Sequence, residues 1–443
     1  MKFQRDIYSQ LVRWKSKNGR KPLLLMGARQ IGKTTILKTF ANKEYKNQLY
    51  INLEREVEAH SFFEGSKDPD SILDSLSLFH GSKINPQTTL LILDEIQECR
   101  DALTALKYFD EERPDIHIIG AGSLLGLTVA NSKNFPVGKV EFMDMFPLTF
   151  SEYLRGADHK LHKAYHHFLI QENIEQLPAV FYNPLQKLFK EYILYGGMPE
   201  VAASYLEYRN MSKAQEIQNN ILRAYEIDFI KHADKKTSTK IKQTWEVLPA
   251  QLASENKKFI YGIIRKGARA SEFENAIQSL NEAGLTYQVN RIKKIGIPLK
   301  AYEDFAAFKL YVFETGLLMR LARLDPRVFV IGDKLFTEFK GALAENFVCT
   351  ALKKELGWVP YYWTSKGRAE IDFIIEHINY VIPIEVKSGN STKAKSLAVF
   401  KDLHNPKLRV RISNLNLKIT DDLLNIPLFY AGHTKALIQK ALI

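Results

Sequence analysis

The sequence predicts an α/β protein of several domains, with a parallel sheet near the N-terminus and a second α/β domain near the C-terminus. Three observations predict it. "KPLLLMGARQIGKTTILKTF" reads as strand, glycine-containing loop and helix. "TTLLILDEIQECR" is an apolar strand that ends on two carboxylates. "RAEIDFIIEHINYVIPIEVKSGN" holds two strand-like runs that carry Asp372 and Glu385. The chain has 443 residues, and at about 100–200 residues per domain it should hold two to four domains.

The first element is a buried strand, Leu23 to Met26. The loop after it, Gly27-Ala28-Arg29-Gln30-Ile31-Gly32-Lys33-Thr34, fits G-x-x-x-x-G-K-[ST] in full. In such a loop the backbone N–H groups surround phosphate oxygens, Lys33 reaches the β- and γ-phosphates, and the Thr34 hydroxyl ligands Mg2+. Thr35 completes the expected nucleotide-binding set, and the following helix turns its positive end toward the same anion. In the second observation Thr89 to Leu93 read as a fully buried parallel strand. Asp94 at its end can hold the Mg2+ shell, and Glu95 can polarise a water toward the γ-phosphate. The expected cofactors are therefore ATP and Mg2+, with Glu95 and Lys33 catalytic. "QLYINLE" (48–54) and "DIHIIGAGSLLG" (115–126) supply further strands. Ser123, after the second of these, is either a sensor of the γ-phosphate or part of a plain Gly-Ser turn. Asn52 and Glu54 face either nucleotide or solvent.

Residues 150–232 read as helical, because apolar and aromatic residues recur at three- and four-residue spacing. A helical lid over the nucleotide is the expectation, broken at Gly196-Gly197-Met198-Pro199. His159, His162, His166 and His167 cluster here and read as a polar helix face. From Lys235 the pattern is a helix, a turn, a second helix near 271–283 and the strand "LTYQVNRI", which is the order of a winged helix. Residues 231–310 hold 15 Lys and Arg against 8 Asp and Glu. Arg265, Lys266 and Arg269 precede the second helix, and Arg291, Lys293 and Lys294 fall where a wing would be. All six could contact phosphates without reading sequence. Glu272, Glu274 and Glu282 on that helix would repel them, so a spacer or protein-contact role stands beside DNA contact.

The last stretch reads as an amphipathic helix (336–357) carrying Glu345 and Asn346, then three strands, then the helix "TKAKSLAVFKDLH". Glu385 and Lys387 are two apart, so they share one face of a strand.

"GARQIGKTT", "LILDEIQ", "GAGSLLGL", "FPLTFSEYL", "YGGMPEV", "FKLYVFETGLL", "GALAENFV" and "IDFIIE…IPIEVKSG" follow one another in this order. Over essentially its whole length the chain resembles the prokaryotic AAA-type (AAA+) ATP-binding proteins with a C-terminal PD-(D/E)xK nuclease-like domain of unassigned function. The resemblance implies a P-loop AAA+ core over 1–149, a helical lid over 150–232, a winged-helix-like basic segment over 233–325 and a restriction-endonuclease-like domain over 326–443. It implies that Glu345, Asp372 and Glu385 gather on one edge to bind a second Mg2+ or Mn2+. Lys387 would then orient the attacking water, and Ser388 and Lys395 would touch substrate. The bland alternative is a retained fold whose polar cluster does not cut. Many relatives carry Gly-Arg where this chain has Gly138-Lys139. Lysine lacks the guanidinium fork, so no arginine finger is assigned.

The formal net charge of +12 favours a polyanionic partner such as DNA. A protein partner and a homo-oligomer are also compatible with the resemblance. Two cysteines, Cys99 and Cys349, exclude a disulfide framework and a structural zinc site. With no signal peptide and no run of roughly 18 apolar residues, the expectation is a cytoplasmic protein without a membrane partner.

Overall fold

In the computed structural model, residues 3–443 are described except 66, 82, 124–135, 232, 255–256, 326, 328–336, 366, 368 and 390–393. The chain divides into two compact units. Residues 4–147 make up most of one, and residues 148–281 with 285–443 make up most of the other.

The first unit runs α1 (Ile7–Lys15), β1 (Leu23–Met26), α2 (Lys33–Glu44), β2 (Asn47–Asn52), α3 (Pro69–His80), β3 (Thr89–Asp94), α4 (Arg100–Glu112), β4 (His117–Gly122) and β5 (Glu141–Asp144). The five strands form one parallel sheet in the order β2-β3-β4-β1-β5. Every residue of β1 and β3 is buried, as in parallel strands covered on both faces. The register sets Asn52 beside Asp94, Asp94 beside Ala121, and Met26 beside Gly122. The carboxyl ends of four strands thus meet at one edge, where open α/β sheets bind ligands. Local signals frame the helices. Asp68 caps α3 by accepting from the Ser71 N–H, Pro69 opens it, and Gly81 ends it at a φ of 62°.

The second unit begins with five helices: α5 (Phe150–Ala157), α6 (His159–Ile170), α7 (Ala179–Tyr195), α8 (Pro199–Tyr208) and α9 (Met211–Lys231). Thr149 and Glu152 close a reciprocal capping box at the start of α5. The break expected at Gly196-Gly197 falls between α7 and α8. A Cβ on Gly196 would lie 2.2 Å from a Glu314 carboxylate oxygen, and the Gly197 N–H donates to that carboxylate at 2.7 Å.

Next come α10 (Lys235–Glu246), α11 (Leu248–Ala253), α12 (Tyr261–Ile264), α13 (Ala270–Glu282), β6 (Thr286–Ile292), β7 (Glu303–Val312) and α14 (Thr315–Leu321). The chain continues through α15 (Thr337–Leu356), β8 (Tyr361–Thr364), β9 (Glu370–His377), β10 (Tyr380–Val386), α16 (Lys395–His404), β11 (Arg409–Ser413), β12 (Lys418–Thr420), β13 (Leu423–Pro427) and α17 (Thr434–Ala441). All eight strands belong to one sheet, ordered β12-β13-β11-β10-β9-β8-β6-β7. The β6–β7 hairpin stands where a wing is expected, and β6 pairs in parallel with β8. The sheet therefore spans residue 325.

One expectation is corrected. The helix over 336–357 is not amphipathic, because Ala342 to Cys349 are all buried. It lies inside the unit, with β7 and β10 packed on it as well as α11, α14 and the 3-10 turn Leu428–His433. A helix covered on all sides has no solvent stripe to display.

The helices of residues 150–231 share a core with this C-terminal part. The Tyr165 hydroxyl donates to the Phe429 carbonyl at 3.0 Å, and the Tyr430 hydroxyl donates to the Tyr165 carbonyl at 2.8 Å. Phe189 and Tyr192 of α7 meet the ring of Phe347 in α15 edge-on.

Candidate functional site

The loop between β1 and α2 is shaped by close approach. Gly27 has a φ of 156°, and a Cβ there would come within 2.4 Å of the Met145 carbonyl oxygen. Gln30 and Gly32 also take positive φ, 64° and 95°, which turns successive N–H groups to one side. Arg5 holds the loop from below by donating to the carbonyls of Ile31 (2.8 Å) and Phe146 (2.6 Å). Nothing in the loop motif signals Arg5, which lies outside it.

Lys33 is buried at the start of α2. Its ammonium donates to the carbonyls of Gly27 (2.8 Å) and Ala28 (2.9 Å). Burial pulls its pKa down to about 8, against the opposing charges of Glu95 and Asp94. A carboxylate oxygen of Asp94 accepts from the Thr34 hydroxyl at 2.6 Å and from the Tyr50 hydroxyl at 2.7 Å. Burial, with Asp94 adding, pushes Tyr50 up to about 12, so it stays a donor. Tyr50 was not singled out from the sequence. Its signal is a tyrosine two residues before the end of the strand beside β3.

Glu95 follows β3 in a left-handed conformation, φ 52° and ψ 45°, which is rare for a residue with a side chain. Its carboxylate accepts from the Gln97 amide at 2.6 Å. Ser123 is buried directly after β4. The residues after it, 124–135, lie outside the described ones. Asn52 accepts from the N–H groups of Glu54 (3.1 Å) and Arg55 (3.0 Å), so it closes a turn, and Glu54 is exposed. Lys139 pairs with Glu111 at 3.0 Å and Asp110 at 3.6 Å on α4 of its own unit. ATP and Mg2+ fit this loop: the cradle needs glycine, and Thr34 already meets Asp94.

The second constellation is built on α15, β7, β9 and β10. Glu345 is buried on α15, and its two oxygens are taken by the Lys257 ammonium and the Tyr311 hydroxyl (3.2 Å). Asp372 on β9 accepts from the Val386 N–H at 2.7 Å. Glu385 on β10 pairs with Lys387 at 2.7 Å, and its other oxygen is buried without a partner. Lys309 on β7 is fully buried and bonded to Glu370. Burial pushes Lys309 down, but Glu345, Glu370 and Asp372 outweigh it and hold its pKa above the usual value. Burial raises Glu345 too, yet Lys257 and Lys309 hold it below the usual range. Burial and the charge of Glu345 push Asp372 up to about 7. Among the described residues no three acid, histidine or cysteine side chains gather as a metal ligand set. The Glu345 oxygens go to Lys257 and Tyr311 and one Glu385 oxygen goes to Lys387, so protein cations already compensate these carboxylates.

Ser388 is half-buried, with its carbonyl accepting from Asn414 at 2.7 Å, and Lys395 opens α16. Sequence reasoning missed Lys257, Lys309, Tyr311 and Glu370. A lysine inside the apolar run "FKLYVF" was a signal, since such a run leaves its charge nowhere to go but a buried partner.

Of the basic residues, Arg265 pairs with Glu272 at 2.8 Å, and Arg291 and Lys293 pair with Asp304 at 2.6 and 3.4 Å. Lys266 and Arg269 are exposed, and the Lys294 ammonium lies 5.7 Å from the Tyr302 ring centre. The histidines expected on a polar helix face pack inward in part. His162 is buried, and its Nε2 lies 3.1 Å from that of His166 and 3.3 Å from the Ser151 hydroxyl. Among the described residues no helix is long and apolar enough to cross a membrane.

Residues 19–154 match a family described as an AAA domain. Residues 186–328 and 340–429 match two families described as domains of unknown function, DUF8612 and DUF4143. None of the curated proteins compared with the chain matches it. Among solved structures, the chain is similar to a Walker-type ATPase of Pyrococcus abyssi, with 15% identity over 72% of this chain and 96% of that one and a TM-score of 0.43. It is also similar to the Aeropyrum pernix ORC1 protein in complex with DNA, with 14% identity over 74% and 92% and a TM-score of 0.27. A third similarity is to the Thermotoga maritima RuvB Holliday junction branch migration motor, with 15% identity over 64% and 89% and a TM-score of 0.30. The stretch that matches the AAA family, residues 19–154, holds the phosphate loop, Asp94 and Glu95 together, and this part of the chain is similar to an AAA domain.

Proposed function

We propose that the protein is a Mg2+-dependent ATPase that works in association with DNA, its first unit hydrolysing ATP and its second engaging the partner. The observation that carries the reading is the Thr34–Asp94 hydrogen bond of 2.6 Å beneath a glycine cradle, with Lys33 on loop carbonyls. Those bonds to neutral carbonyls are ones a phosphate can replace with stronger bonds from ammonium to anion. Mg2+, held by Thr34 and Asp94, would neutralise charge on the β- and γ-phosphates. The chain's own residues do the rest. The N–H groups of Gly27 to Thr35 bind phosphate oxygens, and Ser123 faces the γ-phosphate from the end of β4. Tyr50 and Arg5 fix Asp94 and the loop in place. Glu95 orients the attacking water and accepts its proton, and Gln97 holds that carboxylate until it does.

DNA would meet the exposed Lys266 and Arg269 ahead of α13, with Lys294 beyond the end of β6; these are phosphate contacts and carry no sequence preference. Steady-state phosphate release by the purified chain, with and without duplex DNA, tests the reading. Hydrolysis that is lost in Lys33→Ala and stimulated by DNA supports it; no hydrolysis under either condition rejects it.

A second reading has one observation in its favour. Glu385 and Lys387 lie together at the end of β10, and one Glu385 oxygen is buried and unpaired. In that reading the order α15-β8-β9-β10-α16-β11 is a restriction-endonuclease-like core that cuts DNA with Glu345, Asp372, Glu385 and Lys387. Nicking of supercoiled plasmid in Mg2+ or Mn2+, abolished by Asp372→Ala, is its test.

A further inference from the structure

We infer that Lys309 is the resident cation of the C-terminal carboxylate cluster: its ammonium, helped by that of Lys257, supplies the positive charge that a divalent metal supplies in a cutting site, and the cluster takes no metal while both lysines are in place. This cluster is separate from the ATPase site, and its charge balance holds or fails without the ATPase reading.

Side chains of β7 reach those of β9 although two strands stand between them in the sheet order. Lys309 bonds to Glu370, and Tyr311 lies 5.6 Å from Phe373, ring centre to ring centre. The Lys309 side chain has no exposed surface, and its ammonium sits 5.0 Å from the ring centre of Tyr362. A buried ammonium persists only where opposite charge surrounds it. Three carboxylates provide that charge, from Glu345, Glu370 and Asp372. With the Glu385–Lys387 pair beside them, the cluster counts four carboxylates and three ammoniums, from Lys257, Lys309 and Lys387. With all seven groups ionised, the cluster as built is a single negative charge away from neutral. The set expected from the sequence, three carboxylates with Lys387 alone, would instead carry two uncompensated negative charges, the complement of a divalent ion.

The oxygens agree with the charges. Both oxygens of Glu345 and one of Asp372 are engaged by protein donors, and Glu385 offers one unpaired oxygen. Mg2+ binds through one or two carboxylates and several waters; here one oxygen of Asp372 and one of Glu385 are left for it, in a cluster whose three ammoniums already offset all but one of the four carboxylates.

The experiment counts bound Mn2+ by paramagnetic resonance on the full chain, in an Asp94→Asn background that removes the metal site of the first unit. The expected result is no ion bound by Asp94→Asn and one ion bound once Lys309→Gln is added. Mn2+ should raise the melting temperature of the second chain only, and a further Asp372→Asn should abolish that gain. If Lys309→Gln does not fold, Lys257→Gln replaces it, because that side chain is partly exposed. If neither folds, the parent decides. An ion bound by Asp94→Asn alone and lost with Asp372→Asn overturns the inference, and so does a folded Lys309→Gln chain that binds none.

Discussion

Lys33 and Lys309 are both buried lysines, each at the centre of an acidic site, and their surroundings push them in opposite directions. Lys33 leans on two backbone carbonyls, and burial draws its pKa down to about 8. Lys309 is enclosed by carboxylates that more than offset its burial, and its pKa is raised. Carbonyls are weak placeholders that an arriving anion displaces, whereas carboxylates in a dry interior are final partners. The first site holds a charge open for a ligand. The second has closed its charges on itself.

The widest gap between the two should appear in catalysis. Glu95→Gln keeps the loop and Asp94 intact, so ATP should still bind while hydrolysis falls by about 10²–10⁴-fold. Phosphate release set against binding of a fluorescent ATP analogue separates the two effects, and an equal loss in both would place Glu95 in binding instead. Lys309→Ala should leave that hydrolysis alone and cost about 3–5 kcal/mol of stability, because it strands buried carboxylates. Chemical denaturation followed by tryptophan fluorescence reads this, and a loss under about 1 kcal/mol would break the picture of a closed cluster.

A smaller effect is expected with pH in the second unit. Burial first, then His166 and Lys354, pulls His433 down to about 4, and it faces the rings of Tyr165 and Tyr430. A base whose folded pKa lies below its unfolded value contributes stability in full above the unfolded pKa of about 6.5, and that stability is lost as pH falls toward about 4. His433→Gln should flatten the dependence in that window by roughly 2 kcal/mol, read as the change in denaturation midpoint between pH 7 and pH 4.5. Smallest of all, Lys139→Ala breaks an exposed pair with Glu111 and should leave the denaturation midpoint where it is in the parent. A large fall in hydrolysis in that variant would instead give Lys139 a part in the ATPase site.

The two sites differ as much in how far sequence exposes them. The phosphate loop is legible because its chemistry is local: consecutive residues between one strand and one helix carry nearly all of it. Asp94 and Glu95 are legible because they end an apolar strand. Arg5 and Tyr50 are not, since each reaches the site from a different element. In the C-terminal cluster, Glu345, Asp372 and Glu385 could be named from the resemblance, but the groups that neutralise them could not. Lys257 and Lys309 come from segments more than sixty residues before Asp372, and only the folded chain brings their charges to bear on it, Lys257 bonded to Glu345 and Lys309 to Glu370. The same long-range packing explains α15, whose second face is covered by elements that its own sequence does not reveal.

The hairpin of β6 and β7 has a practical side. A fragment begun at residue 326, meant to isolate the C-terminal domain, would amputate both strands. It would bare the flank of β8, since β6 is its neighbour on that side. Unpaired strand edges recruit other chains, so such a fragment should precipitate or self-associate. It would also have discarded Lys309, so any metal it bound would be a property of the cut and not of the protein. A fragment starting ahead of Phe150 keeps the hairpin, both lysines and the helices that share their core, and in that piece the chemistry of this sheet can be judged.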